Sequence, residues 1–202
     1  MQKSAKSKMA IASIIAERWS PRAFDGKREV EKEKIIAICE AAQWAPSSAG
    51  EEPWRFLIFN KFKNLPTWQK AINCLDKYNK IWAENAPILI AGITHSKWNS
   101  EPDKTNLWAE HDLGAASENL HLEAVNQGLV THPMGGFDNN KFRIEFNIPD
   151  DYRILTLIAL AYRGNLSSLD EFNQARETED RKRKQFKDLF FDSEWGKALD
   201  ND

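Results

Sequence analysis

Cysteine is scarce in this chain. Only Cys39 and Cys74 occur in 202 residues, with no CxxC and no spacing typical of metal ligands. A disulfide framework or thiolate metal knuckle is therefore not what organises it, and two inert buried thiols in a reducing compartment are expected. The four histidines, His95, His111, His121 and His132, form no HExxH pair, so each reads as a satisfied core or surface residue. GxSxG, Walker A and GxGxxG sequences are absent, which removes the usual support for hydrolase and nucleotide-triphosphatase readings. Charge of one sign is not in excess: 28 Lys+Arg against 30 Asp+Glu leaves −2, unlike a globally basic nucleic-acid binder. The longest apolar runs, near residues 86–93 and 154–162, fall far short of the roughly 18 residues of a membrane helix. Lys3, Lys6 and Lys8 precede a mildly apolar stretch, but Glu17-Arg18-Trp19 follows directly and no small-residue cleavage pattern appears. A short amphipathic helix fits better than a signal peptide, and the expected location is cytoplasmic.

What is present alternates between two periodicities. Residues 31–43 predict a helix with Ile35, Ile38, Cys39 and Ala42 on one face, and 106–127 predict the clearest helix, buried through Leu113, Ala116, Leu120 and Ala124. Strands are expected at 54–59, 88–94, 129–132 and 154–162. Residues 61–78 read as mainly helical with a break near Pro66, Pro133–Phe137 as a turn, and 139–146 as a helix. Ser168 and Glu171 have capping-box spacing for a further helix. The fold class is α+β, an α/β sandwich with a central mixed sheet flanked by helices. No linker divides it, so one domain over 1–202 is expected, with 1–8 flexible and 180–202 forming a C-terminal arm. That arm carries Phe186, Leu189, Phe190, Phe191, Trp195 and Leu199, too much apolar surface for a solvated tail, and predicts arm exchange in a homodimer.

Four polar segments could carry chemistry. In RWSPRAF (18–24), Arg18, Ser20 and Arg22 stand at alternate positions, which in an extended chain suits gripping an anion, although an ordinary solvated turn reads equally well. DRKRKQF (180–186) repeats the spacing with Arg181 and Arg183; a solvated face or a nucleic-acid patch are its other readings. Pro46–Ser48 and Gly135-Gly136 offer backbone that can approach a flat ligand closely, or are simply tight connections.

Taken in order, RWSPRAF, APSSAGEEPW, HPMGGF and DRKRK followed by an aromatic arm resemble the nitroreductase-like FMN-dependent oxidoreductases. The resemblance implies a cofactor site formed by Arg18, Trp19, Ser20, Arg22, Pro46, Ser47, Ser48, Asn79, Pro133, Met134, Gly135, Gly136, Arg181 and Arg183. Arg18, Ser20, Arg181 and Arg183 would hold the phosphate and ribityl end. Arg22 would lie toward the pyrimidine edge as electrostatic support, Asn79 would bond that ring, and Gly135-Gly136 would bring a backbone N–H toward N5. Pro46–Ser48 would come from the second subunit, with FMN at the homodimer interface. No side chain is implied as a nucleophile. Hydride would pass from NADH or NADPH through the flavin to a small electron-poor acceptor, a nitroaromatic or quinone, by a ping-pong route. Gly50, Glu52 and Trp82 depart from the residues of many relatives. Reductive dehalogenation and enoate reduction are alternatives on the same fold, and a non-catalytic flavin- or nucleic-acid-binding module is another.

Overall fold

Residues 3–200 are described by a computed structural model, in which four strands organise the chain. They are β1 (Trp54–Asn60), β2 (Ile88–His95), β3 (Val130–Met134) and β4 (Tyr152–Ala161), in the order β1-β2-β4-β3. Every neighbouring pair is antiparallel, which corrects the expected mixed sheet. Alternating helices and strands suggest parallel crossovers, but here the chain leaves β1 at Asn60 and re-enters at that residue's register partner, Ile88. The connection starts and finishes at one end of the sheet, so the direction reverses.

Helices cover both faces. After the short α1 (Ser13–Glu17), α2 (Lys32–Gln43) packs on one face, α3 (Leu65–Ile72) and α4 (Lys77–Ala83) on the other. The long α5 (Ala109–Asn126) joins α2, and α6 (Asn139–Phe146) joins α3 and α4 through Phe142. β2 is apolar from Ile88 to Ile93 because its side chains alternate between two cores: Ile88 and Ile90 join Ile38, Leu113, Leu120 and Ile158, whereas Leu89, Ala91 and Ile93 join Trp68, Trp82, Phe142 and Leu157.

Local chemistry sets several boundaries differently from the sequence expectation. Pro66 lies in the first turn of α3, where its missing N–H costs nothing; Asn64 caps that helix, accepting from Thr67 N–H at 3.0 Å. The break falls later, at Asp76, whose carboxylate caps α4 by accepting from Asn79 N–H at 2.7 Å. Pro133 and Met134, expected in a turn, complete β3 opposite Ile158 and Leu157. β3 is an edge strand, the place in a sheet that tolerates a proline. Asp170 rather than Ser168 caps α7 (Glu171–Thr178), accepting from Asn173 N–H at 2.8 Å. Cys74 is buried and Cys39 half-buried, both are free, and burial pushes both thiols above their ordinary range.

The two ends of the chain meet. Residues 3–8, expected to be loose, are held: Ala5 N–H donates to Ala16 at 2.8 Å, and Lys6 pairs with Asp180 at 3.0 Å. Beyond Arg181 the arm runs over the surface with a short turn at Phe186–Asp188. Its rings pair with each other, Phe186 with Phe190 and Phe191 with Trp195, while Leu189, Phe190, Leu199 and Trp195 (93% exposed) face outward. Among the described residues no helix is long and apolar enough to cross a membrane.

Candidate functional site

The arginines of the first and last motifs converge although more than 150 residues separate them in sequence. Arg18 follows α1 in an extended conformation, and its Nε lies 3.6 Å from the Glu118 carboxylate on α5. Arg181 reaches the same place from the root of the arm. One of its terminal nitrogens donates to the Lys3 carbonyl at 2.8 Å and the Ala16 carbonyl at 2.7 Å. Burial lowers the Arg181 guanidinium pKa, and the charges of Arg18 and then Arg183 lower it further. Cations this close repel one another, so the patch has surplus positive charge suited to an anion. Arg183 is exposed and donates locally to the Lys182 carbonyl at 2.9 Å. Trp19 is flanked by two more cations, Lys3 at 4.7 Å and Arg163 at 5.0 Å from its ring.

Arg22 occupies the adjoining, more enclosed part. Its guanidinium stands 5.7 Å from the Trp82 ring, and Trp82 in turn stacks on His132 at 4.4 Å. Trp82 is 2% exposed, so this departure from the family pattern is a core residue beneath Arg22 rather than a surface available to ligands. His132 Nδ1 lies 2.9 Å from the Pro21 carbonyl and must carry the proton to make that bond, which ties HPMGGF to RWSPRAF. Burial drives the His132 pKa down to about 4; the Pro21 bond opposes this, and Arg22, Arg176 and Arg18 reinforce it. His121, bonded to Thr131 Oγ1 at 2.8 Å, is likewise lowered to about 4 by burial and then by Arg18 and His132. Beneath Arg22 its backbone N–H donates to Glu177 Oε2 at 2.8 Å.

Asn79 and Gly136 also meet. The Asn79 side-chain amide donates to the Gly136 carbonyl at 3.2 Å, leaving its Oδ1 for a ligand, and Asp76 N–H donates to the same carbonyl at 3.0 Å. A Cβ on Gly136 would sit 1.9 Å from Asp76 Oδ2 and 2.6 Å from Asn79 Nδ2, so only glycine permits this approach. Gly135 has open space around the same position. Pro133 is exposed, but the Met134 side chain is buried at 3% and only its backbone can face a ligand.

Pro46–Ser48 does not join Arg18 within the chain. Ser48 N–H donates to Asp112 Oδ2 at 3.0 Å near the start of α5, whereas Arg18 sits at Glu118, about 9 Å further along that helix. Pro46 is exposed, and left-handed backbone follows at Ala49 (φ 53°), Gly50 (φ 67°) and Glu52 (φ 45°). His132, Glu177, Arg176 and Arg163 are residues that the sequence motifs did not place here. Only contacts across 50 residues or more reveal them; HPMGGF contained His132 but gave no sign of its direction.

Comparison with known proteins identifies the fold and the family. The family model described as "Nitroreductase family" matches residues 15–162. A crystal structure described as an oxidoreductase containing FMN superposes with a TM-score of 0.88 at 30% identity, covering 94% of this chain and 95% of the other. An FMN-dependent nitroreductase from Clostridium difficile R20291 superposes with a TM-score of 0.61 at 25% identity, over 78% and 93% of the two chains. Protein DrgA of Synechocystis is 29% identical over 178 residues, covering 77% of this chain and 85% of its own length. With a family match over residues 15–162, well over half of its length, the chain belongs to the nitroreductase family.

Proposed function

We propose that the protein is an FMN-dependent oxidoreductase that uses NADH or NADPH to reduce a small electron-poor acceptor such as a nitroaromatic or quinone. The observation that carries the reading is the gathering of Arg18, Arg181 and Arg183 from opposite ends of the chain, with mutual repulsion left for a ligand to relieve. That donor set fits a phosphate monoester, since charge-assisted bonds from arginine are each worth about 1.5–3 kcal/mol. The crystal structure of an FMN-containing oxidoreductase with the same fold supports the choice of ligand.

Bound FMN would supply two-electron chemistry, accepting hydride from the nicotinamide and delivering it to the acceptor in a second half-reaction. The chain's own residues bind and polarise. Arg18, Arg181 and Arg183 hold the phosphate, with Ser20 and Trp19 alongside. Arg22 keeps a fixed positive charge at the pyrimidine edge, where reduction deposits negative charge. Asn79 presents Oδ1 to the same edge, and Gly135-Gly136 lets backbone approach the ring. Pro46–Ser48 completes the site from a second subunit. The outward-facing Leu189, Phe190, Trp195 and Leu199 support an arm that packs on that subunit.

Purified protein is expected to carry near-stoichiometric FMN, to bleach on anaerobic addition of NADH or NADPH, and to recolour with a quinone. Protein that is colourless and refuses added FMN would refute the reading. Absorbance traces with nitro, halogenated and enoate acceptors then separate the chemistries this fold supports.

A further inference from the structure

Glu177 stands out among the described acidic residues near the arginines. It is 3% exposed, lies in the last turns of α7, and borders a small cavity of about 60 Å3 shared with Ala23, Arg163, Gly164 and Thr178. Its Oε2 accepts the Arg22 backbone N–H at 2.8 Å, while its Oε1 is buried with no protein hydrogen-bond partner. Its charge acts on the cations around it. Burial lowers the pKa of Lys3 and of Arg22, and Glu177 opposes the shift in both.

A single acceptor is all that the Arg22 N–H needs, and a glutamine would supply it. A carboxylate adds a buried negative charge, and with no protein hydrogen bond to its Oε1 that charge is costly except for what it gains from the cations beside it. We infer that Glu177 is a positioning residue with two separable roles: its oxygen fixes the Arg22 segment, and its charge offsets the neighbouring Lys3 and Arg22 cations, holding down affinity for anions and the ease of flavin reduction. The flavin part of this inference rests on the proposed function. The anion part does not, because it concerns only the charge of Glu177 beside Lys3 and Arg22. A site with less surplus charge releases an anionic ligand more readily and stabilises the reduced, anionic state less.

Two substitutions divide the roles. Glu177→Gln keeps an acceptor for Arg22 N–H and removes the charge. Glu177→Ala removes both and leaves that N–H buried without a partner. Full-length protein stripped of flavin is titrated with inorganic phosphate by calorimetry, then with FMN by fluorescence quenching, and its midpoint potential is measured by dye equilibration. Glu177→Gln is expected to bind phosphate and FMN roughly three- to tenfold more tightly and to move the midpoint positive. Glu177→Ala is expected to lose thermal stability and bind FMN more weakly. Weakening by both variants, or no change in Glu177→Gln, overturns the inference. If Glu177→Ala does not fold, Glu177→Gln carries the test alone. If wild-type protein binds no FMN yet Glu177→Gln tightens phosphate, the flavin reading fails and the role of Glu177 toward anions stands.

Discussion

Replacing Gly136 by alanine should displace Asp76, and the cost follows from what Asp76 does. The added Cβ would lie 1.9 Å from Asp76 Oδ2 and 3.0 Å from its Cγ, so the carboxylate must leave. Asp76 then loses the cap on α4, worth about 1 kcal/mol. Asn79 Nδ2, 2.6 Å from the new Cβ, loses its bond to the Gly136 carbonyl, worth about another 1 kcal/mol. A total of about 2–3 kcal/mol should lower the melting temperature by roughly 5–10 °C in a domain of this size. Gly135→Ala is the internal control, because its Cβ meets nothing within 4 Å. It should stay within about 0.5 kcal/mol of wild type. The double variant Asp76→Ala/Gly136→Ala should cost about 1 kcal/mol more than Asp76→Ala alone, because the Asp76 conflict is gone while the Asn79 conflict at 2.6 Å remains. Thermal denaturation of the wild type and the four variants decides it. Equal melting temperatures for Gly135→Ala and Gly136→Ala, or full additivity in the double variant, would refute the argument.

Other outcomes follow from the same geometry. Arg183→Ala should weaken FMN on the order of tenfold and leave riboflavin, which lacks the phosphate, unchanged; equal losses for both ligands in a fluorescence titration would contradict its phosphate role. Arg181→Ala should weaken FMN and also lower the melting temperature, because that side chain holds the Lys3 and Ala16 carbonyls. His121 and His132 have folded pKa values of about 4 against an ordinary 6.5, so the unfolded chain binds more protons between those limits. Stability is therefore full above pH 6.5 and falls as pH drops toward 4, by about 2 kcal/mol per histidine between pH 7 and 5. His121→Gln should flatten that slope in urea titrations, and an unaltered slope would count against it. Deleting residues 185–202 should give a monomeric mass by light scattering and loss of FMN; a dimer retaining flavin would rule out the arm as the joining element.

Much of the fold was legible because periodicity reports burial. α2, β2 and the α5 stripe follow directly from which residues face a core. Boundaries were less legible where a cap decides them. Leu107 and Trp108 read as part of a helix, but Asn106 Oδ1 takes the Trp108 N–H and α5 begins only at Ala109. Sheet direction was hidden because it depends on where the chain returns after residue 60, a property of packed helices rather than of any local run. The site divides the same way. Arg18, Arg22, Arg181 and Arg183 were visible as spaced cations. Glu177 was not, because nothing in α7 points to residue 22, and Trp82 was taken for a neighbour of the ligand because its burial is a tertiary fact. His132 looked like any core histidine until its bond to Pro21 placed it between two motifs.

The strand order also governs how the molecule is made. β4 comes last in sequence yet lies between β2 and β3, so neither of those strands has its full set of neighbours until residues 152–161 have been synthesised. Until then a growing chain carries β2, apolar from Ile88 to Ile93, with one side unpaired. Pairings this distant form slowly and expose aggregation-prone surface in the meantime. Acquisition of the arginine patch comes later still, since Arg181 and Arg183 follow β4. Assembly therefore proceeds in an imposed sequence, with the sheet closing before the ligand site exists, and a chain cut short before residue 152 is left with a hydrophobic strand and no fold to bury it.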